Sequence, residues 1–160
     1  MKTLTIACLA ALTSVGCGPP TPTEVFAASV DRVTALTVTS HTLGIPTGNG
    51  FCATRSQRYD FTLHRLTVTE CAAPRVVAAG PADSAALRSA LRSVEVEALR
   101  RCSGYDGESA GVTFTFEAGA PEAVYALGGV SCSGGPPTDL EIVAASWGAA
   151  AQILARIGGD

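Results

Sequence analysis

The sequence predicts an α+β fold. It is a two-layer sandwich in which an antiparallel sheet of about four strands carries two helices on one face, in the order ββαββα, closed by two disulfides. Three observations predict it. Four stretches read as strands, two of them from β-branched residues and apolar–polar alternation. Two others repeat apolar residues at spacings of three and four. Four cysteines, Cys52, Cys71, Cys102 and Cys132, flank the strand stretches. The 160-residue chain suits one domain and is too short for a (β/α)8 barrel, which takes about 250 residues. With 47% hydrophobic and only 16% charged residues it does not read as disordered, and a net charge of −3 argues against a nucleic-acid binder driven by phosphate contacts.

Residues 1–16 read as a signal peptide. Lys2 is a short positive n-region, Leu4 to Leu12 is an apolar stretch, and Ser14-Val15-Gly16 supplies the small residues of a cleavage site. The apolar run is shorter than the about 20 residues that span a bilayer. Cys17 follows at once, and Ser14-Val15-Gly16-Cys17 resembles the lipobox of bacterial lipoproteins, in which the Cys becomes the first residue and carries acyl chains. Gly16 fits that pattern; Ser14 stands where Leu is usual and leaves ordinary secretion as the alternative. Cysteine arithmetic separates the two. Cleavage removes Cys8 and leaves an odd set of Cys17, Cys52, Cys71, Cys102 and Cys132, and acylation of Cys17 leaves four to pair. Two or more acyl chains anchor a protein stably. Gly18, rather than Asp, after the Cys points by analogy with enteric bacteria to the outer membrane. The resemblance implies an exported protein of the bacterial cell envelope, similar to small lipoproteins of GC-rich predatory or soil bacteria, with the periplasmic or surface side left open.

Residues 17–29 then read as the lipidated Cys and a Pro-rich tether. Its polyproline II stretch, at about 3.1 Å per residue, holds the folded part some tens of Å from the membrane. Phe26 and Val25 are the alternative, a segment docked on the domain. Residues 30–158 form the single globular domain. The strands are Val33 to Thr39, Tyr59 to Glu70, Gly111 to Glu117 and Glu122 to Val130. In the second, the apolar parity flips between Phe61/Leu63 and Leu66/Val68, which predicts a β-bulge near His64-Arg65. The last two strands, joined through Gly119-Ala120-Pro121, form a hairpin.

The helices are Asp83 to Glu97, with Leu87, Ala90, Leu91 and Val94 on one face, and Leu140 to Ile157, with Trp147 as core anchor, a capping box from Thr138 and Glu141, and a stop at Gly158. The sheet face away from them carries Thr37, Thr39, Thr67, Thr69, Thr113 and Thr115. Antiparallel sheets tolerate a wet face of this kind.

A hairpin brings its open ends together, which pairs Cys102 with Cys132 and leaves Cys52 for Cys71. The second pairing needs residues 44–58 to fold back along the sheet, with an extra short strand at Phe51 to Thr54. Zinc is disfavoured: no C-x2-C or H-x3-H spacing exists, and His41 and His64 are isolated, reading as strand surface residues. Gly107 to Gly111 matches G-x-S-x-G, but Ser109 precedes a strand rather than a helix and no His lies beyond His64. No catalytic residue, cofactor or metal is therefore implied.

The favoured expectation is a non-catalytic, membrane-anchored envelope lipoprotein with a binding or structural domain. Its partners would be the membrane, through the lipid anchor, and an unknown protein or small molecule, not nucleic acid. The alternatives are a secreted protease inhibitor, presenting Ser103 to Gly111 or Ala72 to Gly80 as a rigid loop, and an enzyme with an unrecognised site around Tyr105, Asp106 and Glu108.

Overall fold

The computed structural model describes residues 19–47, 50–71, 73–98, 109–117, 120–127 and 140–159. The first described element is helix α1 (Pro22–Ser29), followed by a short 3-10 turn (Val30–Arg32) and four strands, β1 (Val33–Thr47), β2 (Gly50–Asp60), β3 (Arg65–Glu70) and β4 (Ala73–Ala78). Helix α2 (Pro81–Arg92) leads to β5 (Val96–Ala98), β6 (Ser109–Phe116), β7 (Ala123–Leu127), β8 (Leu140–Ile142) and the final helix α3 (Ala144–Gly158). The strands make one sheet in the order β4-β3-β2-β1-β6-β7-β8-β5. It is mixed, because β8 runs parallel to β7 while the other neighbours are antiparallel.

This corrects the expectation of a four-stranded antiparallel sheet with two helices in ββαββα order. The stretch expected as one long strand, Tyr59 to Glu70, is two. The parity flip marks a reversal and not a bulge: residues 61–64 form a turn, after which β3 returns along β2 with Tyr59 opposite Leu66 and Gln57 opposite Val68. Asp60 fixes the turn, its Oδ1 accepting from the Thr62 and Leu63 backbone N–H at 2.9 and 2.8 Å.

Strand β2 carries polar residues at most positions, so periodicity hides it. Its main chain is nonetheless paired with β1 and, from Arg55 to Asp60, with β3 as well. Residues Leu140–Ile142 continue the helical spacing of residues 144–157 but lie between β7 and β5 as β8, and the helix starts only at Ala144. Likewise α2 ends at Arg92, and Val96–Ala98 is strand. No disulfide pair is seen among the described residues: Cys102, Cys132 and the side chain of Cys52 lie outside them, while Cys71 is disulfide-bonded.

The segment expected as a tether is largely folded. Thr21 and Glu24 close a capping box at the start of α1, Glu24 accepting from the Thr21 backbone N–H at 2.7 Å and donating its own N–H to Thr21 Oγ1 at 3.2 Å. Phe26, 1% exposed, packs edge-on against Phe114 and Tyr125, with ring centroids 4.9 and 5.5 Å away. Phe26 and Val30 join one core with Leu36, Tyr59, Leu66, Val112 and Phe114 from the sheet, Leu87 and Leu91 from α2, and Trp147 and Leu154 from α3. The helices thus cover one face of the sheet.

Arg88 of α2 locks the entry to β1: its guanidinium donates to the Val30 and Val33 carbonyls and lies 4.3 Å from the centre of the Phe61 ring. Gly159 ends α3 in the left-handed conformation, φ 77°, which costs glycine no side-chain clash.

The two sheet edges are treated differently. At β5 the Thr23 hydroxyl donates to the Val96 carbonyl at 2.9 Å and accepts from the Val96 N–H at 2.8 Å, so α1 closes that edge. At β4 the two-residue turn between Glu70 and Ala73 makes those residues exchange main-chain bonds, and alternation then turns the main chain of Pro74, Val76 and Ala78 away from β3. Pro74 lacks a donor there, which blunts a strand whose Val76 is 61% exposed.

Candidate functional site

The sheet face opposite the helices is the broadest patterned surface among the described residues. Register alone builds it. Thr67, Arg58, Thr37 and Thr113 are successive cross-strand neighbours, and Thr69, Ser56 and Thr39 form the next row. Thr115 is opposite Ala35. The sequence places a Thr-x-Thr triplet on each of β1, β3 and β6, and the period of two brings all six hydroxyls to one side. Arg58 Nη1 donates to Thr37 Oγ1 at 3.3 Å, and Thr115 Oγ1 donates to Glu122 Oε1 at 3.1 Å. The Thr side chains are each half-buried by their neighbours, leaving donors and acceptors at the surface. Toward β8 the face ends at Glu141, buried beside Ala126 and opposite Glu97. Such a surface offers hydrogen bonds in rows and no aromatic platform among its described residues.

A second polar cluster lies on the helix side. Ser84, in the first turns of α2, is hydrogen-bonded through Oγ to Tyr59 Oη and to His64 Nδ1, each at 2.7 Å. His64 closes the β2–β3 turn with φ 46°, a left-handed conformation unusual for a residue with a side chain. Its carbonyl accepts from Ala79 N–H at 2.8 Å, at the approach to α2. The α2 start is held by Asp83, whose carboxylate accepts from Gly80 N–H at 3.0 Å and pairs with Arg156 of α3 at 2.9 Å. The Gly80 bond, helped by Arg156, keeps the Asp83 carboxyl below the usual carboxylate range, and burial pushes the Tyr59 hydroxyl up.

Ser84 beside His64 has the spacing of a nucleophile and base. Yet the serine is 6% exposed, its oxygen held between a fully buried tyrosine and the imidazole, and no carboxylate among the described residues hydrogen-bonds the His64 ring. The arrangement is a clasp that joins the β2–β3 turn to α2.

Of the residues singled out in the sequence, Cys71 occupies the two-residue β3–β4 turn with φ 51°, exposed and disulfide-bonded. Cys17, Cys102, Cys132, Tyr105, Asp106 and Glu108 lie outside the described residues, and only the backbone of Cys52 is placed, in β2 opposite Ile45. Ser109 opens strand β6 opposite His41, which removes the strand-to-helix turn that G-x-S-x-G chemistry requires. The proposed inhibitory loop Ala72 to Gly80 is mostly strand β4. His64 is not the strand surface residue expected from the sequence. The signal that could have found its role is the same parity flip that marks the turn.

Comparison with family models, with curated proteins and with solved structures returns no match.

Proposed function

We propose that this protein is an exported envelope lipoprotein, held at a membrane by acylated Cys17, whose domain binds a partner through the hydroxyl-bearing sheet face rather than by catalysis. The leader carries the reading: a charged residue, an apolar stretch from Leu4 to Leu12, and Ser14-Val15-Gly16-Cys17 at its end, followed by a cysteine set that is odd unless Cys17 is consumed. The disulfide at Cys71 supports it, because such bonds persist outside the reducing cytosol. The face supports the binding role. Its six threonines lie in register with no helix of the described chain across them, and rigid strands present them at little ordering cost.

The test is the intact mass of membrane-extracted protein, with and without reduction, beside a Cys17→Ala variant. The reading expects an acyl mass increment on a chain that starts at Cys17, lost with Cys17→Ala. A full-length chain in the soluble fraction with an unmodified Cys17 refutes it. For the face, Thr39→Val with Thr113→Val, which remove hydroxyls and keep side-chain shape and strand preference, should abolish capture of the partner on which the wild-type protein is retained, with the thermal midpoint of unfolding kept.

A further inference from the structure

We infer that α1 is the membrane-contact element of this protein, its outward face of Pro22, Val25 and Ala28 resting on the lipid surface to which Cys17 is fixed. The inference rests on the acylation proposed above. Its first support is that α1 cannot stand away from the domain. Phe26 is buried against Phe114 and Tyr125, and Thr23 is bonded twice to Val96, so the helix and the β5 edge move as one body.

The second support is length. Thr21, the N-cap of α1, is four residues beyond Cys17. Fully extended, four residues reach at most about 14 Å. A tether running to residue 29 would have allowed about 37 Å at the polyproline II rise. Part of the shorter reach is used inside the headgroup layer, which is roughly 5–8 Å thick per leaflet. The β5 side of the sheet is therefore held against the bilayer whatever path the linker takes.

The third support is the chemistry of the face that results. Pro22, Val25 and Ala28 recur at spacing three and are exposed, with Val25 at 55%. The one acid of the helix, Glu24, is engaged by Thr21, and no basic residue stands in the last turn. This small apolar stripe adds burial of apolar area to the anchoring that the acyl chains supply, and without cations it does not require anionic lipid. The occupant is thus a zwitterionic lipid surface as readily as a charged one. The opposite edge, β4, lies seven strand spacings away, about 34 Å before twist, and faces outward from the membrane.

The test reconstitutes the lipidated protein, its mass checked first, in phosphatidylcholine vesicles containing a lipid with a shallow nitroxide quencher. Val25→Trp and Val76→Trp are compared, both at exposed positions, with buried Trp147 giving the same background in each. The inference expects strong quenching of the indole added by Val25→Trp, none of that added by Val76→Trp, and no change when anionic lipid is included. Acylated protein in which neither indole is quenched, both are quenched equally, or only Val76→Trp is quenched overturns the inference and leaves the lipoprotein reading intact. An unmodified Cys17 overturns both.

Discussion

Ser84→Ala removes one oxygen from the clasp and leaves two groups without their partner. Tyr59 is fully buried, so its hydroxyl has no route to water, and a stranded buried hydroxyl costs about 1–3 kcal/mol. His64 is half-buried and can turn its ring toward solvent, so it loses only the net worth of one hydrogen bond, about 0.5–1 kcal/mol. The single variant should therefore lose about 2–3 kcal/mol, a large part of a stability of about 5–15 kcal/mol. Tyr59→Phe should lose only about 1 kcal/mol, because Ser84 keeps its bond to His64. In the double variant no tyrosine hydroxyl remains to be stranded, so its loss should fall about 1 kcal/mol short of the sum. Urea unfolding of all four proteins under non-reducing conditions measures this. With a slope of about 1–3 kcal/mol per molar, Ser84→Ala moves the midpoint by roughly 1–2 M. Losses that add to within about 0.5 kcal/mol would show that the two hydroxyls are independent, and the clasp would be refuted.

Three further outcomes are expected. Phe26→Ala should lower stability by about 3–5 kcal/mol, since its ring is enclosed by Phe114 and Tyr125; a thermal midpoint unchanged from wild type would mean that α1 is a free tether after all. Pro74→Thr should restore a donor to the outward edge of β4 and raise self-association measured by sedimentation velocity, with an unchanged monomer signal counting against the edge assignment. Asp83 and Glu24 both titrate below their ordinary range when folded, Asp83 through Gly80 and Glu24 through the Thr21 backbone and then its hydroxyl. Groups depressed in this sense add stability that is complete above the unfolded value, about pH 4, and that is lost as pH falls through the folded one. The thermal midpoint should thus drop below about pH 4, and less steeply in an Asp83→Asn, Glu24→Gln variant.

What the sequence makes legible is whatever repeats at the period of its own element. The Thr-x-Thr triplets point to one face without knowledge of the register, and helical spacing alone puts Trp147 in the core. The β6–β7 pairing follows from the clean alternation of β6 and the turn residues after it. Illegible are the places where two elements share one pattern. Leu140 and Ile142 extend the spacing of α3, but main-chain bonding to β7 and β5 outweighs a helical preference that begins before any cap is available. Strand β2 owes its state to neighbours on both sides and not to its own side chains, and β4 is so exposed that it carries almost no apolar contrast. The tether expectation fails because Pro19, Pro20 and Pro22 suggest an extended chain, whereas Pro22 starts α1, where a missing N–H costs nothing. Phe26 is the residue that argues for docking.

The closure of the β5 edge by Thr23 has a mechanical consequence. On the proposed acylation, a load applied through Cys17 enters the domain at α1, and the first bonds it meets are the two between Thr23 and Val96, followed one turn later by the Phe26 ring. These contacts would yield in sequence, as a seam opens, and not all at once. Tugging on that end of the chain would bare the outermost strand of the sheet well before the long central strands felt any strain.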